Sequence, residues 1–393
     1  MLDSIYIAQS GLAGHQKGLK TISNNVANMN TVGFKSSTAS FTDAYVADRA
    51  AGNPLGDAPG FGGAGLDART ATLDFSSGEL RQTGNALDAA IDGDGFFALQ
   101  DADGNTVYTR DGQFQFDAKG SLVGRTNGMQ VMARDAAGKL VPLDLSKLRT
   151  NPPKATATVM LDGNLSSSAT THSIETLKVY DALGGEHTIK LTFTSEATTT
   201  PGLWSLVVLE GTTELAKGEV RFTGGVKDPA TTSLKFDLAS NGGGTTSVEL
   251  KLADSTTSFS TGTTSSLAMK EQDGYGLGLV ANTTLNAKGE VELTYSNGKK
   301  VTAGQLAIAR FAATDGLREV GQALFASTGA APEIRVAGDD LKIATQTLEY
   351  ANVDLTGQFS NLILMQRGYQ AASQVLSTAN DMIQELFDMK GRR

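Results

Sequence analysis

Hydrophobic positions repeat along this chain with two different periods, and the period changes twice. Near the N-terminus Ile5, Leu12, Leu19 and Val26 are spaced by seven. A second row, Ala8, Ile22 and Met29, follows them, with His15 filling its gap. Two such rows form the a/d seam of a helix. Residues 1–32 are therefore expected to be helical, with Asp3 or Ser4 as N-cap and Gly33 as the stop. The C-terminus repeats the pattern more strongly. Leu348, Leu355, Leu362, Tyr369, Leu376 and Ile383 are again spaced by seven, and Met365, Ala372, Ala379 and Leu386 form the companion row. From Leu355 to Met389 a helix would run about 52 Å at ~1.5 Å per residue, with Asp354 as its cap.

Between the ends the period is two. Ile189, Leu191 and Phe193 alternate with threonines and a lysine, and Val248, Leu250 and Leu252 alternate with Glu249 and Lys251. Leu234, Phe236, Leu238 and Val291, Leu293, Tyr295 do the same. This is the pattern of antiparallel sheet with one wet face. No ten-residue helical pattern separates these strands, which argues against a doubly wound parallel sheet. Residues 151–270 stand apart as rich in Ser and Thr. They open on Asn151-Pro152-Pro153, read as a linker, and end near a Ser/Thr tract at 255–266. Residues 52–65 form a second linker-like stretch of small side chains.

The expected architecture is mainly β with a terminal α-helical coiled coil, nested as several domains. Residues 1–35 and 350–393 form a discontinuous helical domain, 36–70 a linker or extended segment, 71–150 and 271–349 a β core domain, and 151–270 an inserted antiparallel β domain. A chain of 393 residues exceeds one ordinary core. Its 45 glycines against 8 prolines favour tight turns over proline-rich disorder. The net charge of −9 makes nucleic acid a poor partner. The absence of cysteine excludes disulfides and thiolate zinc sites. The first residues lack the basic and apolar regions of a cleaved secretory leader, and no apolar run reaches membrane-spanning length.

Specific motifs now narrow the class. Asn24-Asn25-Val26-Ala27-Asn28, followed by Thr31-Val32-Gly33-Phe34-Lys35, resembles the N-terminal signature of bacterial flagellar rod and hook proteins. Asn352-Val353-Asp354-Leu355 and then Gln366-Arg367-Gly368-Tyr369-Gln370-Ala371 are similar to that family's C-terminal stretch, with Ala372 where the family often has Asn. Ala90-Ile91-Asp92-Gly93-Asp94-Gly95-Phe96-Phe97 and Tyr108-Thr109-Arg110-Asp111-Gly112-Gln113-Phe114 resemble the shared core. Val179-Tyr180-Asp181-Ala182-Leu183-Gly184 with His187-Thr188 looks like the start of the outer domain of hook proteins, which rod proteins generally lack. The resemblance covers roughly residues 1–35, 70–135 and 300–390.

It implies a structural homopolymer exported without a cleaved signal peptide and located outside the cell in the flagellum. The helices would form the inner domain of a hollow, bendable tube that transmits torque, and the inserted domain would lie outermost. Implied partners are the chain itself, rod, hook-cap and hook–filament junction proteins, and the export apparatus, with no nucleic acid and no membrane insertion. The alternatives are a distal rod subunit or, from another class, a secreted β-rich adhesin or carbohydrate-binding module.

The residues supply a reason for assembly. A lone amphipathic helix is marginal in water, so each terminal helix needs a partner. Pairing the two leaves Ile7, Ile22, Phe359, Ile363 and Phe387 on outer faces that need further neighbours, and an open head-to-tail array supplies them. Helices that merely cover the chain's own sheet are the competing reading. The expected assembly interface comprises Ile5, Leu12, Leu19, Ile22 and Val26 with Asn24, Asn25, Asn28, Gly33 and Phe34. From the C-terminal segment it takes Leu355, Phe359, Leu362, Gln366, Arg367, Tyr369, Leu376, Ile383 and Leu386. The asparagines are read as fixing how the helix leaves an inner tube, with ordinary helix termination as the alternative. Gln358 weakens the seam, and Gln366, Gln370 and Gln374 line one side, as a non-sticking channel wall would require.

Catalytic and ligand motifs fail their contexts. Gly60-x-Gly62-x-x-Gly65 has the spacing of a dinucleotide fingerprint without its strand and helix, and Gly276-x-Gly278-x-x-Ala281 fails similarly. Asp101-x-Asp103-x-Asn105 lacks the later calcium ligands and reads as a hairpin turn, like Asp92-Gly93-Asp94-Gly95. His15, His172 and His187 show no metal-ligand spacing. No cofactor, metal or enzymatic activity is expected. Trp204 reads as core of the inserted domain.

Overall fold

The computed structural model describes residues 2–45, 63–68, 71–135, 137–197, 199–231, 233–240, 244–329, 331–338 and 341–391. The chain divides into two compact units. One comprises residues 1–146, 283–292 and 302–393, the other residues 147–282 and 293–301.

The first unit contains both helices, α1 (Leu2–Ala27) and α2 (Leu355–Gly391). Helix α1 starts ahead of Asp3 and Ser4, so neither caps it. It ends six residues before the expected stop. There the Asn28 side-chain amide donates to the Asn24 carbonyl at 2.9 Å, and Thr31 N–H closes a turn onto Asn28 O. Asparagine thus satisfies end carbonyls that a glycine cap would otherwise leave to the backbone. Met29 lies beyond the helix. Helix α2 does start at Asp354, whose carboxylate accepts the N–H groups of Thr356 and Gly357 at 3.0 and 3.1 Å. Leu348, expected on the same seam, instead lies in the strand Thr347–Glu349, paired with Leu80–Gln82.

The β part of this unit is an antiparallel sheet. Its strands are ordered Gln130–Arg134, Phe96–Gln100, Thr106–Thr109, Leu324–Ser327, Leu317–Gly321. Phe75, Phe96 and Phe325 meet edge-on at 5.3 to 5.8 Å within its core, a favoured aromatic geometry. Asp101 closes the turn after Phe96–Gln100 by accepting N–H bonds from Asp103 and Asn105. Asp92 to Gly95 forms the turn between Ala89–Asp92 and Phe96–Gln100. Of the expected linker 36–70, the described residues form the strands Ser37–Thr38, Phe41–Tyr45 and Gly63–Ala68. The last two pair with each other, and Gly65, read from sequence as loop, lies in the second of them where the register shifts. Most of the stretch 52–65 lies outside the described residues.

The second unit is a β-sandwich. One sheet orders Leu234–Ser240, Gly244–Leu252, Thr158–Asp162 and Ala268–Gln272; the other runs through Thr171–Tyr180, Glu186–Ser195, Leu203–Glu210, Thr213–Thr223 and Val226–Lys227. Both contribute to one core that includes Val159, Leu191, Phe193, Trp204, Phe236 and Leu250. Trp204 is 1% exposed. The period-two positions at 189–193, 234–238 and 248–252 all point inward. One pairing departs from the antiparallel expectation, since Thr158–Asp162 runs parallel to Gly244–Leu252. Period two reports which side chains face inward but not strand direction. The expected linker at Asn151 is partly strand, because Thr150–Asn151 pairs with Gly278–Leu279. The Ser/Thr tract is not a boundary either. Thr256 and Ser258 are buried, and Thr257 bridges to Asn164 and Val226. Hydroxyl groups can hydrogen-bond inside a fold as readily as in a linker.

Candidate assembly surface

The helices α1 and α2 pack against each other. A Cβ on Gly11 would lie 3.5 Å from Ala372 Cβ, one on Gly18 would lie 2.9 Å from Met365 Sδ, and Gly368 faces the His15 ring too closely to accept a side chain. Asn25 Nδ2 donates to Gln358 Oε1 at 3.2 Å. Each step forward on α1 is thus a step back on α2, so the pair is antiparallel. Small residues opposite large ones hold the register, because glycine lets a ring or thioether approach the partner backbone. The hairpin Phe41–Tyr45/Gly63–Ala68 lies against α1 as well. Ser10 Oγ accepts Leu66 N–H at 3.0 Å, Lys17 Nζ donates to Ala68 O at 2.7 Å, and Gly14 meets Leu66.

The interface positions expected from sequence divide into two groups. Leu12, Leu19 and Val26 on α1 and Leu355, Leu362, Leu376 and Ile383 on α2 are half-buried, as is Ile5. Ile22 is buried within the subunit and not on an outer face, a correction to that expectation. Phe359, Gln366, Arg367, Tyr369 and Leu386 remain exposed. Tyr369 therefore leaves the seam, because Gly368 takes the place against His15. Phe359 is 52% exposed and Phe387 70% exposed, and Ile7, Ile363, Leu364, Val375, Met382 and Met389 join them. One subunit leaves these apolar side chains in water, where each fully buried one would contribute roughly 1.5–3 kcal/mol.

The asparagine signature works differently from the sequence reading. Asn25 is 1% exposed. Its amide donates to Ser37 O at 2.7 Å, and its carbonyl accepts Ser37 N–H at 3.0 Å. Gly33 and Phe34 are buried too. Gly33 adopts φ 69°, and a Cβ there would lie 2.5 Å from Asp111 N. In the single subunit these three residues are taken up by contacts inside the chain, unlike the outward placement expected of them. Asn24 is exposed, and Asn28 is partly exposed at the helix end.

What sequence reasoning missed is the junction beneath them. Glu349 is fully buried, and its carboxylate accepts Lys35 Nζ at 2.7 Å, Gly78 N–H at 2.8 Å and Arg110 at 3.1 Å. Arg110 also donates to Gly93 O at 2.8 Å, and Lys35 to Ser76 O at 2.6 Å. Burial pushes the Glu349 carboxyl up, but Arg110, Lys35 and the Gly78 N–H outweigh it and hold it below the usual range. Burial pulls the Lys35 ammonium down despite Glu349. Nearby, Asn352 accepts Ser36 N–H at 2.7 Å and donates to Asp74 O at 2.8 Å. The N-terminal signature, the Tyr108–Phe114 stretch and the segment before α2 thus meet at one carboxylate. The one available signal was a lone Glu between Leu348 and Tyr350, in a chain whose other motifs end in Lys35 and contain Arg110.

Among the described residues no cluster of His, Cys, Asp and Glu suits a metal ion. No helix among the described residues is long and apolar enough to cross a membrane.

Comparison with known proteins agrees along nearly the whole chain. Four family models match in succession. They are the flagella basal body rod protein over residues 5–35, the flagellar hook protein FlgE/F/G D1 domain over 90–168, the flagellar basal body protein FlaE D2 domain over 155–298, and the flagellar basal body rod FlgEFG protein C-terminal over 344–389. The chain is 28% identical to the flagellar hook protein FlgE of Borreliella burgdorferi, across 99% of this chain and 100% of that one. It is 29% identical to the FlgE of Salmonella typhimurium, across 98% and 99%. It is 26% identical to the flagellar basal-body rod protein FlgG of Bacillus subtilis, across 99% and 100%. The crystal structure of Helicobacter pylori flagellar hook protein FlgE2 shares the fold at a TM-score of 0.51 and 13% identity, covering 68% of this chain and all of that one. With basal body rod models at both ends, a hook protein D1 model and a D2 model between them and hook relatives spanning it end to end, the chain belongs to the bacterial flagellar hook protein family.

Proposed function

We propose that this chain is the structural subunit of a bacterial flagellar hook and polymerises with itself into a hollow, bendable tube. The observation that carries this reading is the unpaired apolar face of the antiparallel α1/α2 pair, from Phe359 to Met389. Copies stacked in an open helical array bury it, and no chemistry beyond burial is required. In this reading the helices line the tube and the β part of the first unit surrounds them. Gln366, Gln370 and Gln374 are exposed on α2, and uncharged amides there suit a wall past which unfolded chains slide. The same reading makes the protein a non-enzyme exported to the cell exterior. It also gives it rod, cap and junction proteins as neighbours.

Electron microscopy of the purified full-length chain, seeded with hook fragments, tests this. Tubes are expected from the intact chain, and soluble monomers after removal of residues 1–27 and 355–393. An intact chain that stays monomeric at high concentration with seeds present would refute the proposal. A distal rod subunit is the second reading, favoured by the full-length similarity to a rod protein. Straight, rigid tubes would select it. The match of residues 155–298 to a D2 domain weighs toward the hook.

A further inference from the structure

We propose that His187 is a proton-dependent clamp that ties the turn at Asp181–Gly185 to the end of the strand Leu203–Glu210 at one end of the second unit. His187 Nδ1 lies 2.6 Å from Glu210 Oε1, and Nε2 lies 3.5 Å from Asp181 Oδ2. A neutral imidazole has one N–H, so it serves one carboxylate and turns a lone pair toward the other. Only the imidazolium donates to both. The geometry between two carboxylates therefore selects the charged ring.

The surroundings make that charge matter. The Asp181 side chain is 1% exposed and also accepts Leu183 N–H at 2.9 Å and Gly185 N–H at 2.7 Å. Asp181 thus holds the hairpin turn together, and His187 joins it to the next strand. Two neighbouring lysines are already engaged, since Lys178 pairs with Glu186 at 2.8 Å and Lys190 with Glu175 at 2.8 Å. Neither is therefore free to replace His187 when it loses its proton. The clamp also sits beside the chain's entry to this unit. Thr156 N–H donates to Tyr180 O at 2.9 Å, and Gly184 packs on Pro153.

Burial lowers the His187 ring, but Glu210 and Asp181 outweigh that and raise it above the ordinary histidine value. A raised folded value means the stabilisation is fully present below the unfolded value, near pH ~6.5, and is lost as pH rises through the folded one. The second unit should therefore loosen on the alkaline side, and the first unit has no counterpart of this clamp among the described residues.

Trp204 is the sole tryptophan and is buried in this unit's core, so its fluorescence reports the unit within the intact chain. The test is urea unfolding of the full-length protein, kept dilute, from about pH 5.5 to about pH 8.5. The Trp204 midpoint of the natural protein is expected to fall with rising pH, and that of His187→Gln to stay flat. His172→Gln, which alters the other histidine of the unit, should keep the natural slope. An equal slope in His187→Gln overturns the proposal. Should that variant fail to fold, the ring titration of His187 by NMR decides. It must lie above the ordinary value and drop by about one pH unit or more in Glu210→Gln, and an unchanged or ordinary titration overturns the clamp.

Discussion

The second unit and the α1/α2 pair handle apolar side chains in opposite ways. In the sandwich, inward positions such as Phe193, Trp204 and Phe236 are sealed between two sheets. On the helices, residues just as large, such as Phe359 and Phe387, stay in water. The sandwich seals a core of its own, whereas the helix pair keeps a long run of apolar side chains in water. The size of the apolar side chains does not distinguish the regions; what differs is whether a chain can fold back on its own apolar face. Two helices offer each other one stripe apiece, and any wider apolar surface is left for a neighbour.

The junction at Glu349 sharpens this contrast, because it fastens the needy helices to the self-sufficient β part. Glu349→Gln should have the largest effect on the isolated subunit. It leaves Lys35 and Arg110 buried without a counter-charge, at about 3–5 kcal/mol for a broken buried pair, measurable as a lowered unfolding midpoint of the first unit. Its pH signature is the opposite of His187. The depressed carboxyl stabilises above the unfolded value, near pH ~4.3, and that contribution is lost as pH falls through the folded one. Glu349→Gln should therefore also flatten acid unfolding of the first unit. A variant with natural stability and acid profile would mean the helices are held by packing alone.

Gly33→Ala comes next. It places a Cβ at φ 69° against Asp111 N, at about 1–3 kcal/mol, and circular dichroism melting should show it. Asp354→Ala removes the α2 cap at about 1 kcal/mol, read as fraying of α2 in hydrogen exchange. The smallest effect on the subunit is expected from Phe387→Ser, within about 0.5 kcal/mol. Yet this variant should slow seeded tube growth more than Asp354→Ala does. The reverse order would break the comparison, since it would make the exposed face irrelevant to assembly.

These contrasts were only partly legible in the sequence. The seven-residue spacing of Leu355, Leu362, Leu376 and Ile383 marked the helix because helical period is a local property. The alternation through Phe193 marked a strand, and Trp204 a core position, for the same reason. Asn25 and Gly33 were visible as a motif, but their work was not. Asn25 reaches Gln358 across 333 residues of chain, and Lys35 reaches Glu349 across 314. No spacing rule connects such positions. The Ser/Thr tract misled because composition alone does not say whether hydroxyls meet water or Asn164.

By itself, then, the order of residues determined the helical and extended stretches, the faces they bury and the family signatures at each end, all of which rest on near-neighbour geometry. Tertiary structure alone decided that the signature asparagine and glycine look inward, that one carboxylate gathers two distant cations, and which apolar side chains are left over. Burial is a property of the whole packed chain, and a residue's fate depends on partners hundreds of positions away.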